Sequence, residues 1–371
     1  MGNSAVNDEF GSDVEGVEDG NTRDELPSYP LEDVMVRSET RSVSEAVKRI
    51  KAGRYAMSPD FQRDFVWPPD KQSKLIESCI MRIPLPVFYV AEGQDGRVTV
   101  VDGLQRLSTF LRFLKDDLKL TGLGSEHPLN GKKFSDLPLH FQERIEDTQL
   151  TLYILDKSAP EAARLDIFER VNSGIPLTRQ QMRNALYDGP ATLWLGEQSK
   201  SELFQSVTGG SLDPKTMRDR EAINRFCAFK LLGSGEYASS DMDAFLAVVL
   251  KKMNVLDTLD GLTISFKNGL KRNRKLFGRH AFRKSLVDAA VSNEASRSVI
   301  NISLFEVMMV GLSELRSEEF SENSRDIKTV IIELAHDEEF LNSITYSTNS
   351  TRQVHQRFAM VHDVLEEFKS R

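Results

Sequence analysis

Five consecutive residues, Asp102-Gly103-Leu104-Gln105-Arg106, stand where the sequence turns from strand to helix. Residues 98–101 read as a strand, and Leu107, Phe110, Leu111 and Leu114 then keep the i, i+3, i+4, i+7 spacing of a helix packed on one face. Such a corner can do chemistry. The first N–H groups of a helix lack intrahelical acceptors and lie at the positive end of its dipole, so they suit an anion. A glycine admits close approach to the backbone, and Arg106 can offer phosphate a planar fork of donors. Asp102 could cap the helix, or hold Mg²⁺ or its water beside phosphates. A plainer reading is also open: an N-cap, a tight turn and an exposed helix arginine.

The elements that would position this corner follow from pattern. Residues 42–55 predict a helix capped by Ser42, with Val43, Ala46, Val47 and Ile50 on one face and Gly53 closing it. Pro68-Pro69 breaks the chain before a helix in which Leu75, Ile76, Cys79 and Ile80 share a face; Pro84 and Pro86 end it. Residues 87–91 and 98–101, joined by the turn at 93–96, predict a hairpin, and 150–156 another strand. Asn172-Ser173-Gly174 then splits a helical stretch, and Thr178 with Gln181 forms a capping box for its second half, which Gly189-Pro190 ends. Beyond 190 strand signals nearly vanish. Helical patterns follow one another, the last carrying Val354, Phe358, Val361, Leu365 and Phe368 on one stripe.

The fold class expected is α+β: a small mixed-sheet domain over residues 35–190, then an all-helical domain over 191–371. The net charge of -8 resides at the start of the chain, because residues 1–33 hold ten acids against Arg23 alone. That segment, 1–34, is expected to be a disordered acidic tail, since it has too few bulky apolar residues to offset its ordering entropy. No run approaches about 18 uncharged apolar residues, so no membrane span is expected. No basic-then-apolar leader opens the sequence, and Cys79 and Cys227, the only cysteines, read as reduced thiols. The compartment expected is the cytoplasm.

Three segments together resemble one family. "VDGLQRLSTFLRFL" resembles the Asp-Gly-Gln-Gln-Arg signature of the N-terminal domain of GmrSD-type modification-dependent restriction enzymes. "SPDFQRDFVWPPDKQSKLIESCIMRIPLPVFYV" resembles that family's upstream motif, and "IFERVNSGIPLTRQQMRNALYDG" its third. They occur in the family's order over residues 42–190. "DPKTMRDREAINRFCAFKLL" and "STNSTRQVHQRF" resemble, more loosely, the helical region that often follows. The resemblance implies a ParB/sulfiredoxin-like fold whose Gly-x-x-Arg corner holds nucleotide phosphate, with a nucleoside triphosphate and Mg²⁺ as ligand. Carried over by position, Asp102, Gln105 and Arg106 become the candidate catalytic residues. Gln62, Arg63, Gly103, Arg106, Arg170, Asn172, Arg183 and Asn184 become the candidate phosphate-binding set. Leu104 departs from the fullest signature, which has glutamine there, so strong hydrolysis is not expected and Leu104→Gln should raise it. Arg63, set among Phe61, Phe65 and Trp67, is expected to converge with Arg106 and Asp102 on one pocket. Plainer roles remain open: Gln62 tying down an extended backbone, Asn172 serving its turn, Arg183 solvated.

Absent motifs narrow the chemistry. The six histidines are scattered and no Cys/His cluster has ligand spacing, so no metal centre is expected and a nuclease acting alone is not. A member of the family without the His-centred nuclease half is expected. One run suits nucleic acid: residues 267–284 hold eight bases and no acid, with Phe266, Phe277 and Phe282 interleaved. Lys271, Arg272, Arg274 and Lys275 are its candidate DNA contacts; a solvated basic helix face is the alternative. Two functions stay open: a nucleotide-binding, NTP-hydrolysing or merely sensing, regulator of defence against foreign or modified DNA, or a ParB-like DNA-binding module that turns over nothing. DNA, a separately encoded effector and a second copy of the chain are the partners expected.

Overall fold

The computed structural model describes residues 14–15, 36–57, 67–93, 96–124, 126–159, 161–171, 177–291 and 296–369. They fall into two units, one within Leu26–Asp188 and one formed by Gly189–Arg371 together with Met1–Glu25. A two-residue strand, β1 (Val14–Glu15), belongs to the second.

The first unit runs β2 (Val36–Ser42), α1 (Val43–Lys51), β3 (Tyr55–Ala56), α2 (Pro69–Ile80), β4 (Phe88–Glu92), β5 (Val98–Asp102), α3 (Leu104–Phe113), α4 (Leu139–Glu146), β6 (Gln149–Leu155), α5 (Glu161–Val171) and α6 (Arg179–Leu186). Its strands form one mixed sheet in the order β2-β6-β4-β5-β3. β2 with β6 and β4 with β5 are antiparallel; β4 with β6 and β3 with β5 are parallel. This small mixed sheet followed by helices is the α+β class expected from sequence. The expected hairpin is β4–β5, and α1 takes its Ser42 cap, Oγ accepting from Glu45 N at 3.2 Å.

Alternation explains the core. Phe88, Val90, Val100, Leu150, Leu152 and Ile154 are buried at every second strand position and share one apolar cluster with Val43 and Val47 of α1, Ile76 and Cys79 of α2, and Leu107 and Phe110 of α3. Each large member stabilises the unit by about 1.5–3 kcal/mol through burial. Cys79 sits inside that cluster, and burial pushes its thiol up to about 11, so it is a neutral packing group at ordinary pH. Two strands escaped the sequence pattern, β2 and the very short β3. β2 is an edge strand of charged and hydroxyl residues, held outside the core by pairs such as Arg37 with Glu92 and Asp156, both at 3.0 Å.

The second unit runs α7 (Pro190–Lys200), α8 (Glu202–Thr208), α9 (Arg218–Leu231), α10 (Met242–Asn254), α11 (Asp260–Phe277), α12 (Asp288–Val291), β7 (Ile300–Asn301), α13 (Ile302–Glu314), α14 (Ser317–Glu322), α15 (Ser324–Leu334), α16 (Glu338–Ser343) and α17 (Thr351–Glu366). β7 pairs in parallel with β1, so two residues of the acidic N-terminal segment are seated on this unit, where Glu15 also pairs with Lys284. The remainder of residues 1–34 lies outside the described residues apart from Val14 and Glu15.

α13 is the hub, packed against α9, α11 and α17. Its sequence is apolar on nearly every side, as a central helix requires, yet Glu306 stands near its middle. That carboxylate is fully buried and accepts from Arg357 Nε at 2.9 Å and Nη2, and from Arg225 Nη1 at 3.3 Å. Arg357 also donates to Ser343 O at 3.2 Å and Thr348 O at 2.7 Å. The two loosely family-like segments of the helical region thus meet here, Arg225 from one and Arg357 from the other. Among the described residues no helix is long and apolar enough to cross a membrane.

Candidate functional site

The corner is built by a strand irregularity. Val90 pairs with Val100 and Tyr89 with Asp102, so Val101 is an extra residue on β5, a bulge that brings Asp102 opposite Tyr89. Gly103 follows at φ 97°, ψ 8° and begins α3, which no side chain caps. The group that approaches its backbone is the Phe88 ring: a Cβ on Gly103 would lie 2.3 Å from Phe88 Cδ1 and 2.8 Å from Cε1. Glycine is required here by packing and by backbone angle together.

Arg106 lies over the same ring, its guanidinium carbon 4.2 Å from the centroid. It donates to Pro86 O, to Val87 O at 3.0 Å and to Asp102 Oδ2 at 2.7 Å. Burial lowers its pKa from the ordinary arginine value, and Asp102 opposes that. This is neither the exposed helix residue nor the free phosphate fork that sequence suggested. Three of its donors tie the chain before β4 to the end of β5, so Arg106 is a positioning residue for Asp102, whose carboxylate remains about 37% exposed. Leu104 packs in the apolar cluster, so the amide introduced by Leu104→Gln would be buried and would lower stability instead of reaching a ligand.

Gln105 is also engaged. Its Oε1 accepts from Trp67 N at 3.1 Å, and Trp67 O is held by Nε2 of Gln72, whose Oε1 accepts from Arg112 Nη1 at 3.1 Å. Trp67 belongs to the upstream segment, so two of the three segments meet through a hydrogen bond. Gln62 and Arg63 lie outside the described residues, as does Asn172. The third segment arrives through α6, which packs against β5. Thr178 caps it in the expected box, Thr178 N donating to Gln181 Oε1 at 2.7 Å. Arg183 is buried with its Nε on Gln180 Oε1 at 3.0 Å, and Gln180 Nε2 donates to Asn184 Oδ1 at 2.8 Å. Arg183 is therefore not solvated. Arg170 differs: its side chain is 75% exposed, with Asp166 3.8 Å away. Sequence reasoning missed Gln72, Arg112 and Arg164, the last a buried residue donating to Glu92 O at 3.2 Å.

The basic run divides by helical phase. Lys267, Lys271, Arg274 and Lys275 are exposed on α11. Arg272 is buried, donates to Leu312 O at 2.6 Å and lies over Phe320, which corrects its expected role as a DNA contact. Among the described residues no three His, Cys, Asp or Glu side chains are grouped to hold a metal ion.

Arg106→Ala is accordingly expected to destabilise the fold by about 2–4 kcal/mol, since it strips donors from two carbonyls and a carboxylate. An exposed arginine would cost less than about 0.5 kcal/mol. Arg106→Lys should recover only part, because an ammonium cannot span the three acceptors. Urea unfolding with an unchanged m-value measures this.

The geometry coincides with a comparison. Residues 43–187 match the family model described as GmrSD restriction endonuclease, N-terminal domain. The match spans β5, α3 and α6, and so includes every described residue of the corner. No curated protein and no solved structure matches the chain.

Proposed function

We propose that this chain, whose residues 43–187 match the model of the GmrSD restriction endonuclease N-terminal domain, is a nucleotide-binding regulatory protein of prokaryotic defence against foreign or modified DNA, acting with a separately encoded effector. The observation that carries the reading is the meeting of motifs at one corner. Asp102, Gly103, Gln105 and Arg106 build it, Trp67 is bonded to it and α6 packs beside it. Packing alone does not ask for a solvent-facing carboxylate at the start of an uncapped helix. In this reading the corner works as the ParB/sulfiredoxin-like phosphate corner that its motifs resemble.

The charges dictate the form of the ligand. The N–H groups opening α3 suit phosphate, but Asp102 repels a bare anion. A Mg²⁺-bound triphosphate satisfies both, the carboxylate holding the cation directly or through its water and the N–H groups facing phosphate oxygens. Binding without rapid turnover fits best, because Gln105 Oε1 is occupied by Trp67 N and Leu104 offers no amide to orient water. The test is thermal stability. A nucleoside triphosphate with Mg²⁺ at 100 times its Kd should add about 2.7 kcal/mol, read as a raised Tm, and Mg²⁺ alone should not. Absence of any shift with ATP, GTP or CTP would leave the corner a structural latch, and a DNA-binding module without nucleotide would be the better description.

A further inference from the structure

The last turn of α8 gathers three arginines, two from the basic run and one from beyond it. Arg274 of α11 donates through Nη1 to Ser206 Oγ at 3.2 Å. Arg283 donates to Thr208 O at 2.9 Å, to Ser211 Oγ at 2.8 Å and to Ser298 O. Arg297 lies against the next residue, Gly209, where a Cβ would stand 2.4 Å from its Nη1. Among the described residues none of these three is ion-paired with a carboxylate. Arg283 is almost wholly buried, and among the described residues its Nε has no acceptor. Two bland forces favour cations here, the exposed carbonyls of a helix end and its dipole, yet three guanidinium groups exceed what about half a unit of negative charge can hold. Crowding without a counter-ion leaves a local positive potential that an incoming anion can satisfy.

The cluster continues outward. Lys267, Lys271 and Arg274 occupy positions i, i+4 and i+7 of α11, all exposed, so they form one stripe leading to the α8 turn. Arg279 is exposed just past the end of α11, and its charge, with those of Arg283 and Arg297, disfavours protonation of His280, which burial already lowers. Glu15 pairs with Lys284, and β1 runs beside β7, three residues beyond Arg297.

We propose that the stripe Lys267–Lys271–Arg274 together with Arg297 is a docking surface for the phosphodiester backbone of duplex DNA. Duplex DNA is chosen on the reading of the chain as a defence protein; the surface itself stands on the arginine cluster. A row of cations in helical register tracks successive phosphates, and such docking carries no sequence information.

The experiment is fluorescence anisotropy of a 30-base-pair duplex titrated with the full chain over a salt series. Wild type should bind, with affinity falling linearly on a log–log plot. The variant Lys271→Gln/Arg274→Gln/Arg297→Gln should bind at least about tenfold more weakly at low salt, with the slope flattened by about 0.9 for each phosphate it no longer neutralises. A control, Lys48→Gln/Lys51→Gln/Arg54→Gln in the first unit, should keep the wild-type slope. No binding by wild type, an unchanged slope in the cluster variant, an equal fall in the control, or a preference for single-stranded RNA would each overturn the proposal. Nucleotide-dependent stabilisation is measured alongside. Its absence in wild type would sink the reading of the β5–α3 corner alone, while its persistence in the cluster variant would show that weakened DNA binding is not misfolding.

Discussion

Glu306→Gln is expected to destabilise the second unit by about 3–5 kcal/mol, among the largest losses any single substitution in this chain should produce. The carboxylate is wholly buried between Arg357 and Arg225. Glutamine keeps the shape and one acceptor but removes the charge, leaving two guanidinium groups in a dry interior where, among the described residues, Glu221 lies 3.5 Å from Arg225. Losing one partner of a buried pair is worse than losing both, because the survivor retains its desolvation penalty. Arg357→Met added to Glu306→Leu should therefore recover part of the stability lost in Glu306→Gln. Recovery would be incomplete, since Ser343 O and Thr348 O also lose their donor. Calorimetric melting of wild type and these two variants reads this directly. A Glu306→Gln protein melting within about 2–3 °C of wild type would mean the network is dispensable.

Gly103→Ala should also be costly, about 2–5 kcal/mol, through two additive causes. A left-handed backbone disfavours alanine by about 1–2 kcal/mol, and overpacking adds about 1–3 kcal/mol. The atom in the way is a ring carbon of Phe88, which is itself held by the core on one side and Arg106 on the other. The two causes separate in a double-mutant cycle. In a Phe88→Leu background the steric part should disappear and the backbone part remain, so Gly103→Ala should then cost only about 1–2 kcal/mol. Equal costs in both backgrounds would show that the ring is not the obstacle.

What was legible in the sequence was whatever obeys a period. The β4–β5 hairpin, the apolar face of α2, the Thr178/Gln181 box and the stripe of Val354, Val361 and Leu365 on α17 follow from spacing and turn residues alone. β2 was illegible because an edge strand of alternating charges has no apolar face to read. Arg106 was misjudged for a different reason. Two of its three partners are backbone carbonyls about twenty residues upstream, and no residue type announces a carbonyl. Arg272 could have been separated from Lys271 and Arg274, because it flanks the buried positions Gly269, Asn273 and Leu276 of its helix. Glu306 also had a signal, an acid set between apolar residues in the middle of its helix, which burial permits only with a partner. The convergence of Arg274, Arg283 and Arg297 had none, since α8 brings it about from outside the basic run.

Nucleotide binding at the β5–α3 corner is tested most directly by isothermal titration of ATP, GTP and CTP into wild type and Asp102→Asn, with and without Mg²⁺. Asparagine leaves Arg106 an oxygen acceptor, so the latch to Pro86 and Val87 should hold while the site for the cation is lost. The expected result is one nucleotide bound per wild-type chain only when Mg²⁺ is present, and at least about tenfold weaker binding to Asp102→Asn. No heat from any of the three nucleotides with folded wild-type protein, or equal binding by Asp102→Asn, would contradict it and leave Asp102 and Arg106 as parts of the fold alone.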